Sequence, residues 1–398
     1  MPTSILRILL LVGVEFGYGR DVIRGVASYV RDHRLPWVFR RLDASVPSVR
    51  MAARWQPHGA VTHLQRPQIE RAMRKLAVPT VDISARFDVP GIGHVRVDDR
   101  SIGRTAALHF LDRGFRHFAF VGYPAGVLFS DARRQGFVGA IGEKARTCHH
   151  YHYTIDAPGG KRWRYEVNRL RAWLAHLPRP TAVMAVNDRT GSELAEMCGG
   201  LGLRIPEDIA LIVVNNDDLL CQIADPPLSS VLSPMDRVGY EAARMLNRML
   251  AGTPAPAKPL LLEPAGVVTR RSSDVIAVDD PVAATALSFI RRRACDGIKV
   301  EDVLDHLHIS RSLLEQKLRK AIGRTPLAEI RRVRVERAKQ LLAETDLHMT
   351  AIARASGFAS DVRLSSVFRQ LTGTTPTAYR AESAVAMRSP RTGPIDQP

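Results

Sequence analysis

Val300-Glu-Asp-Val-Leu-Asp-His-Leu-His-Ile-Ser310, running on into Arg311-Ser-Leu-Leu-Glu-Gln-Lys-Leu-Arg-Lys320, is one half of the stretch that decides the fold. Some 50 residues later Met349-Thr-Ala-Ile-Ala-Arg-Ala-Ser-Gly-Phe358 runs into Ala359-Ser-Asp-Val-Arg-Leu-Ser-Ser-Val-Phe-Arg369. Each half reads as a short apolar-periodic helix, a tight turn, and a second helix rich in polar and basic side chains. In such a helix-turn-helix the second helix enters a DNA major groove and the first braces it. Gly357 stands where the turn requires a positive φ, which glycine adopts without a Cβ penalty. Between the two halves, Pro326 to Glu344 reads as one helix with apolar Leu327, Ile330, Val333, Ala338 and Leu341. Its rise of about 1.5 Å per residue gives about 28 Å, close to the roughly 34 Å between successive major-groove faces on one side of DNA. The spacing therefore predicts an all-α domain with two helix-turn-helix motifs set for adjacent groove segments.

The second repeat closes on Phe368-Arg-Gln-Leu-Thr-Gly-Thr-Thr-Pro-Thr-Ala-Tyr-Arg380. With both repeats and the linking helix in this order, residues 281–380 resemble the AraC family of bacterial transcription regulators.

The 398 residues suggest two or three domains. Hydrophobic content of 45% is enough for ordinary globular cores. The net charge of +17 favours a polyanionic partner. Residues 281–398 hold 20 Lys and Arg against 12 Asp and Glu, and residues 1–280 hold 37 against 28. Net positive charge per residue is thus about twice as high in the C-terminal part, although the N-terminal part is basic too. Cys148, Cys198, Cys221 and Cys295 are scattered without a CxxC pair, as in a chain kept reduced in a cytoplasm. The apolar run Ile5–Val14 is too short for a membrane span, has no small-residue cleavage site, and leads directly into a helical pattern. It reads as a buried first strand, and no membrane association is expected.

From residue 7 short apolar runs alternate with helical patterns. The strand-like runs are Ile8–Val14, Trp37–Arg41, Ala60–His63, Thr80–Ile83, Phe118–Gly122, Ala182–Val186 and Ile209–Val214. The helical patterns are Arg20–Arg31, Gln68–Lys75, Ile102–Arg113, Ala132–Glu143, Trp163–His176, Thr190–Gly199 and Met235–Leu250. Such alternation argues for parallel sheets flanked by helices, and the length suits two lobes. Ligands of these folds bind where strand C-termini meet helix N-termini, between the lobes.

Val97-Asp-Asp-Arg-Ser-Ile-Gly-Arg104, continuing to Gly122, resembles the lobe-crossing stretch of LacI-type, periplasmic-binding-protein-like sensor domains. Ser130-Asp-Ala-Arg-Arg-Gln-Gly-Phe137, Ala185-Val-Asn-Asp188, Ile205-Pro-Glu-Asp-Ile209, Val213-Val-Asn-Asn-Asp-Asp218 and Pro227-Leu-Ser-Ser-Val231 resemble that family's later landmarks. LacI-type repressors carry their helix-turn-helix first. Here the first strand leaves no room for one, and an AraC-type reader stands at the other end. The expected organisation is a sensing domain over 1–270, a linker over 271–282, the DNA-binding domain over 283–382, and a disordered tail over 383–398.

The two resemblances together imply a cytoplasmic, sugar-responsive transcription regulator, an activator of genes for catabolism of xylose or a related sugar. Implied partners are a double-stranded DNA operator, a small carbohydrate effector, a second copy in a homodimer, and RNA polymerase. No cofactor or metal is implied. A constitutive DNA binder with a degenerate sensor is the alternative. An enzyme acting on a bound sugar is a further alternative, but no phosphate loop, nucleophile–base pair or metal set supports it.

A sugar presents hydroxyls that both donate and accept, so its site needs fixed carboxylates, amides and guanidinium groups. The LacI-type resemblance puts Arg133 at the sugar-contacting arginine. Asn187 and Asp188 follow one strand, and Asn215 and Asn216 follow the next, with Asn215 standing where the family often has an acidic residue. Glu15 and Tyr18 close the first strand and face the expected cleft, and Phe16 or Tyr18 offers a face for stacking. In the AraC-type part the resemblance places groove-facing side chains at Ser312, Glu315 and Gln316, with Arg311 and Arg319 on bases or phosphate. Asp361, Arg363 and Ser366 are their counterparts in the second repeat. Leu313, Leu318, Leu364 and Phe368 are expected to face the helix-turn-helix cores.

Two other motifs resolve against function. Gly17-Tyr-Gly-Arg-Asp-Val22 follows a strand and opens a helix, but Val22 stands at the third glycine of a dinucleotide fingerprint and no ribose-binding acid follows. In Cys148-His-His-Tyr-His152 two histidines share a strand face without a second ligand pair, which reads as a solvated edge.

Overall fold

The computed structural model describes residues 5–154, 160–275, 277–278, 280–345 and 347–380. The expected tail over 383–398, and residues 276 and 279 of the expected linker, lie outside the described residues. Described residues up to His109, with Arg116–Asp274, form one compact unit. Phe110–Phe115, with the described residues from Val275 onward, form the other.

Twelve strands run through the described part of the first unit. They are β1 (Leu6–Leu11), β2 (Trp37–Leu42), β3 (Gly59–Thr62), β4 (Thr80–Asp82), β5 (Gly93–Val97), β6 (His117–Gly122), β7 (Thr147–His152), β8 (Thr181–Ala185), β9 (Ile209–Val214), β10 (Ser229–Val231), β11 (Leu260–Leu262) and β12 (Val267–Val268). Between them lie α1 (Gly17–Asp32), α2 (Val46–Arg54), α3 (Pro67–Leu76), α4 (Asp99–Leu111), α5 (Leu128–Ile141), α6 (Gly160–Ala175), α7 (Asp188–Gly200), α8 (Asp218–Ile223) and α9 (Met235–Leu250). The strands make two six-stranded sheets, ordered β11-β5-β4-β3-β1-β2 and β12-β10-β9-β8-β6-β7. Every pairing is parallel except that of β10 with β12. This is the two-lobed α/β architecture the alternation predicts. Strands β3, β4, β5, β8 and β9 are buried along their whole length. Helices cover both faces, and β9, Ile-Ala-Leu-Ile-Val-Val, accordingly reads as an unbroken apolar run.

The chain passes between the lobes at α4, again at α9, and again between β11 and β12. The sequence reading missed β5, β10, β11 and β12. Each is short or polar, and period alone does not separate such a strand from a loop. Strand β7 carries the Cys148–His152 run and forms the edge of the second sheet, and no metal-holding cluster exists among the described residues.

Helices α4 and α5 meet through glycine. A Cβ on Gly103 would lie 1.9 Å from the Arg133 carbonyl oxygen, and one on Gly136 would lie 1.9 Å from that of Arg100. Only hydrogen fits at either place, so the two backbones touch. This contact sets the height of Arg133 above α4.

The second unit is helical. It contains α10 (Pro281–Arg293), α11 (Val300–Leu307), α12 (Arg311–Ile322), α13 (Pro326–Glu344), α14 (Met349–Ala355) and α15 (Asp361–Thr372). Asp280 caps α10 by accepting from the N–H groups of Val282 (3.0 Å) and Ala283 (3.1 Å). Thr325 caps α13 ahead of Pro326, which occupies the first helical turn. Two small cores form. Leu287, Ile290, Val303, Leu314, Leu318 and Ile330 belong to one. Val335, Ala338, Leu342, Ile352, Leu364 and Phe368 belong to the other. Helix α13 serves both, so its buried stripe changes face along its length. Leu327, the first apolar residue of this helix in the sequence pattern, is 45% exposed. Gly357 has φ of 75° as expected, and the first repeat puts His308 in the same left-handed region at 52°.

Unit two also takes in the turn that ends α4. Asp112 accepts from Arg324 Nη1 at 2.6 Å, and Arg324 and Arg332 both donate to the buried Glu329. Ser272 and Ser273, within the expected linker, are instead buried in the first unit. There Ser272 Oγ accepts from the Ser229 N–H at 2.8 Å.

Candidate effector cleft and DNA-reading face

A cleft of about 500 Å³ opens in the first unit. Its walls come from residues just past the C-terminal ends of the strands. Glu15, Phe16 and Tyr18 follow β1, Asp43 follows β2, His63 and Gln65 follow β3, Arg86 follows β4, and Asp99 follows β5. From the other lobe come Tyr123 after β6, Asn187 and Asp188 after β8, and Asn215 and Asp217 after β9. Phe129 and Arg133 reach in from α5. Convergence at strand ends follows from parallel topology, because every strand then delivers its outgoing loop to the same edge.

Arg133 is buried and doubly held. Its Nε donates to Asp99 Oδ1 at 2.7 Å, and its Nη1 donates to the Val186 carbonyl at 2.5 Å. The guanidinium carbon lies 5.2 Å from the centre of the Phe129 ring. Burial raises the Asp99 carboxyl above its ordinary value, and Arg133 opposes that shift. The pair leaves one guanidinium nitrogen without a role in fixing the side chain.

Asp188 is also buried. Its Oδ2 accepts from the Asp217 N–H at 2.8 Å, and its Oδ1 accepts from the Ser230 hydroxyl at 3.3 Å. Burial pushes its carboxyl up to about 7, while these hydrogen bonds pull it down. Asn187 caps α7 through Thr190 N–H (2.9 Å), and its amide nitrogen donates to the Tyr123 hydroxyl at 3.1 Å. Asp217 accepts from the Gly17 N–H at 2.5 Å and pairs with Arg20 at 3.8 Å. Gly17 opens α1 in the opposite lobe, so this carboxylate bridges the cleft mouth.

On the first-lobe side the Tyr18 hydroxyl meets His63 Nδ1 at 2.5 Å. Burial first, then the nearby Glu15 charge, raises the Tyr18 phenol well above its usual value. Burial presses the His63 imidazole down to about 4. The neutral imidazole and the Tyr18 hydroxyl thus share one hydrogen bond in the cleft wall.

Of the residues expected here, Glu15, Tyr18, Arg133, Asn187, Asp188 and Asn215 line one cleft. Asn216 does not. Its amide oxygen accepts from Arg270 Nη1 at 2.8 Å, and its N–H is held by Ser230 Oγ. Asn215 and Asn216 have φ of 95° and 56°, a left-handed turn that asparagine tolerates better than most residues. Their side-chain type thus answers to backbone shape as much as to a ligand. The acid of this loop is Asp217, two residues beyond the position read as having lost one. The sequence reading missed Asp99, Asp217, His63 and Arg86. Asp99 and Asp217 lie inside motifs quoted above, in Asp-Asp and Asn-Asn-Asp-Asp runs whose facing residue the spacing alone does not select.

In the second unit the two repeats superpose in sequence at an offset of 50. Ser310 and Ser360 cap α12 and α15 by accepting from Leu313 N–H (3.3 Å) and Arg363 N–H (3.2 Å). Leu314 matches Leu364, and Leu318 matches Phe368, all fully buried. Leu313, expected in the core, is 37% exposed, and Leu314 takes its place one position on. Arg311, Ser312, Gln316 and Arg319 are exposed on α12, and Glu315 is half-buried. Arg363 and Ser366 are exposed on α15, and Asp361 is half-buried. Arg311 bonds Glu301, and Arg319 lies 3.5 Å from Glu315. The offset adds Arg369, exposed at the counterpart of Arg319, and Val362, 75% exposed at the counterpart of Ser312. Neither was anticipated.

Comparison with known proteins follows the same division. Residues 107–273 match the model of a periplasmic binding protein-like domain, and residues 303–382 match that of a helix-turn-helix domain. The chain is 31% identical to the xylose operon regulatory protein of Escherichia coli strain K12, over 97% of this chain and 100% of that one. It is 28% identical to the protein of the same name from Haemophilus influenzae, over 96% and 99%. A solved structure of a xylose-binding transcription activator superposes with a TM-score of 0.63 at 31% identity, over 96% of this chain and 99% of that one. A cellobiose complex of the regulator CelR shares the fold of the sensing part, with a TM-score of 0.55 at 20% identity over 68% and 85%. No helix of the described residues is long and apolar enough to cross a membrane. With near-complete coverage at 31% identity, the chain belongs to the family of the xylose operon regulatory proteins, transcription regulators that join a periplasmic-binding-protein-like domain to an AraC-type helix-turn-helix domain.

Proposed function

We propose that the chain is a cytoplasmic, sugar-responsive activator of carbohydrate catabolic genes, with xylose or a closely related sugar as effector. The observation that carries this reading is one polypeptide holding both a polar interlobe cleft at the strand ends and two exposed recognition helices. Residues 1–270 sense the sugar, 271–282 connect, and 283–382 read the operator. The active species is a homodimer, and activation acts through RNA polymerase.

The cleft chemistry suits a neutral polyol. Arg133 and the Asn187 and Asn215 amides offer donors, and Glu15, Asp99, Asp188 and Asp217 offer acceptors. Each sugar hydroxyl needs one of each. Phe16 and Phe129 give apolar faces for the C–H side of a ring. On the reading side Arg311, Ser312, Glu315, Gln316 and Arg319 serve one groove segment, and Asp361, Arg363 and Ser366 serve the next.

Thermal melting of the full chain against a panel of monosaccharides tests the effector. A ligand at 100 times its Kd stabilises by about 2.7 kcal/mol. Xylose or a near relative is expected to raise the Tm by several degrees, and sugars differing at one hydroxyl are expected to do less. A panel that leaves the Tm unmoved while the chain still selects a DNA sequence turns the reading into that of a constitutive regulator.

A further inference from the structure

The second recognition helix has an apolar residue at the centre of its outward face. Leu364, Val367 and Phe368 are buried in the second core. Successive residues of an α-helix turn by about 100°, so these three point to roughly 190° when Val362 is set at zero. Val362 therefore points directly away from the core. Ser366 and Arg369 fall within about 40° of it, and Asp361 and Arg363 lie about 100° to either side. Exposure agrees, since Val362 is 75% exposed and Ser366 and Arg369 are open. The equivalent stripe of α12 is Ser312, Gln316 and Arg319, which is polar throughout.

Val362 is the second residue of α15, just past the Ser360 cap. The first turn of a recognition helix is the part that meets base edges. A valine there has no donor or acceptor. Its branched side chain holds essentially one rotamer in a helix, so contact costs little entropy. Of the groups on the major-groove floor, only the thymine methyl is apolar.

We propose that Val362 reads a thymine methyl group, so that the second helix-turn-helix specifies a T by apolar contact while the first reads by hydrogen bonds. This rests on the DNA-reading function proposed above. It makes Val362 a specificity residue and moves Arg363 to the flank, toward phosphate.

The test uses duplexes enriched by the full chain from a random pool. Each thymine in the enriched sequence is replaced singly by deoxyuridine, which keeps pairing and removes only the methyl. The expected result is one thymine, in the segment contacted by α15, whose methyl removal weakens binding about fourfold, the equivalent of roughly 0.8 kcal/mol for one buried methyl. In Val362→Ala that position is expected to lose its sensitivity, while every other position responds as in the parent. Val362→Ser, which removes both methyls and puts a hydroxyl in their place, is expected to behave likewise. Because Val362 is 75% exposed and lies outside the second core, both variants should melt close to the parent. Absence of any methyl-sensitive thymine, or sensitivity that persists in Val362→Ala, overturns the proposal. A chain that enriches no sequence at all overturns the DNA-reading function itself, and the proposal with it.

Discussion

Asp217, at the end of β9 in one lobe, accepts a hydrogen bond of 2.5 Å from the backbone N–H of Gly17, which opens α1 in the other. Its own N–H is held by Asp188 Oδ2 at 2.8 Å, so the bridge is anchored in the buried part of the cleft. The anion sits on the free N–H groups of a helix start, where backbone dipoles favour it. A closed cleft is stabilised by this contact whatever fills it.

Replacing Asp217 by Ala removes the bridge and a cleft acceptor together. A hydrogen bond to a charged group contributes about 1.5–3 kcal/mol. The sugar-dependent rise in Tm should fall by more than the equivalent of a tenfold loss in affinity. Operator binding without sugar should stay as it is, because the second unit keeps its own two cores. Calorimetric titration with the effector and a DNA-binding curve on the same sample separate the two. Unchanged sugar affinity would mean that the bridge plays no part in closure.

Asp188 makes stability depend on pH in a definite direction. Its carboxyl is raised to about 7 in the folded chain from 3.8. The native state therefore holds a proton that the unfolded chain has released between about pH 4 and 7. The contribution is full below pH 4 and is lost as pH rises through 7. A shift of this size corresponds to on the order of 4 kcal/mol. Asp188→Asn mimics the protonated form, since its amide can face Ser230 while its oxygen still accepts from Asp217. Urea unfolding at pH 5 and pH 8 should show the parent losing more stability than the variant between the two. Parallel losses would place the shift elsewhere.

How much of this was legible before the structure differs by element. The helix-turn-helix repeats could be read nearly to the residue, because caps at Ser310, Thr325 and Ser360 and the glycine at 357 mark boundaries locally. The helix Pro326–Glu344 has the bounds its sequence announces. Leu313 was misassigned by one position, since Leu314 and Leu318 are the residues of α12 in the core and Leu313 is 37% exposed. Arg133 and Asp188, which line the cleft, were singled out through motifs. Asp99 and Asp217 were not, since choosing which acid of an Asp-Asp pair faces a cleft needs the opposite lobe. Asn216 was named beside Asn215 but lies outside the cleft lining, since asparagine serves left-handed turns and ligands alike.

Helix α4 begins at Asp99, bonded to Arg133 in the cleft wall. The residue after its end, Asp112, accepts from Arg324 Nη1 at 2.6 Å, and Arg324 also holds the buried Glu329 at 3.0 Å. A continuous helix is stiff along its axis, so a sugar that draws on Arg133 and Asp99 biases the position of Asp112. Coupling of this kind is a free energy of about 1–3 kcal/mol and is reciprocal for binding. Sugar should tighten operator binding about five- to 150-fold, and operator DNA should tighten sugar binding by the same factor. Arg324→Ala should shrink both factors together while leaving sugar affinity without DNA, and DNA affinity without sugar, close to those of the parent. Glu329 keeps its bonds to Arg332 in that variant, at 2.7 and 3.0 Å, so the second unit should still fold. Four titrations on each protein, with either ligand alone and in the presence of the other, close the cycle. Coupling factors that survive intact in Arg324→Ala would rule out this route.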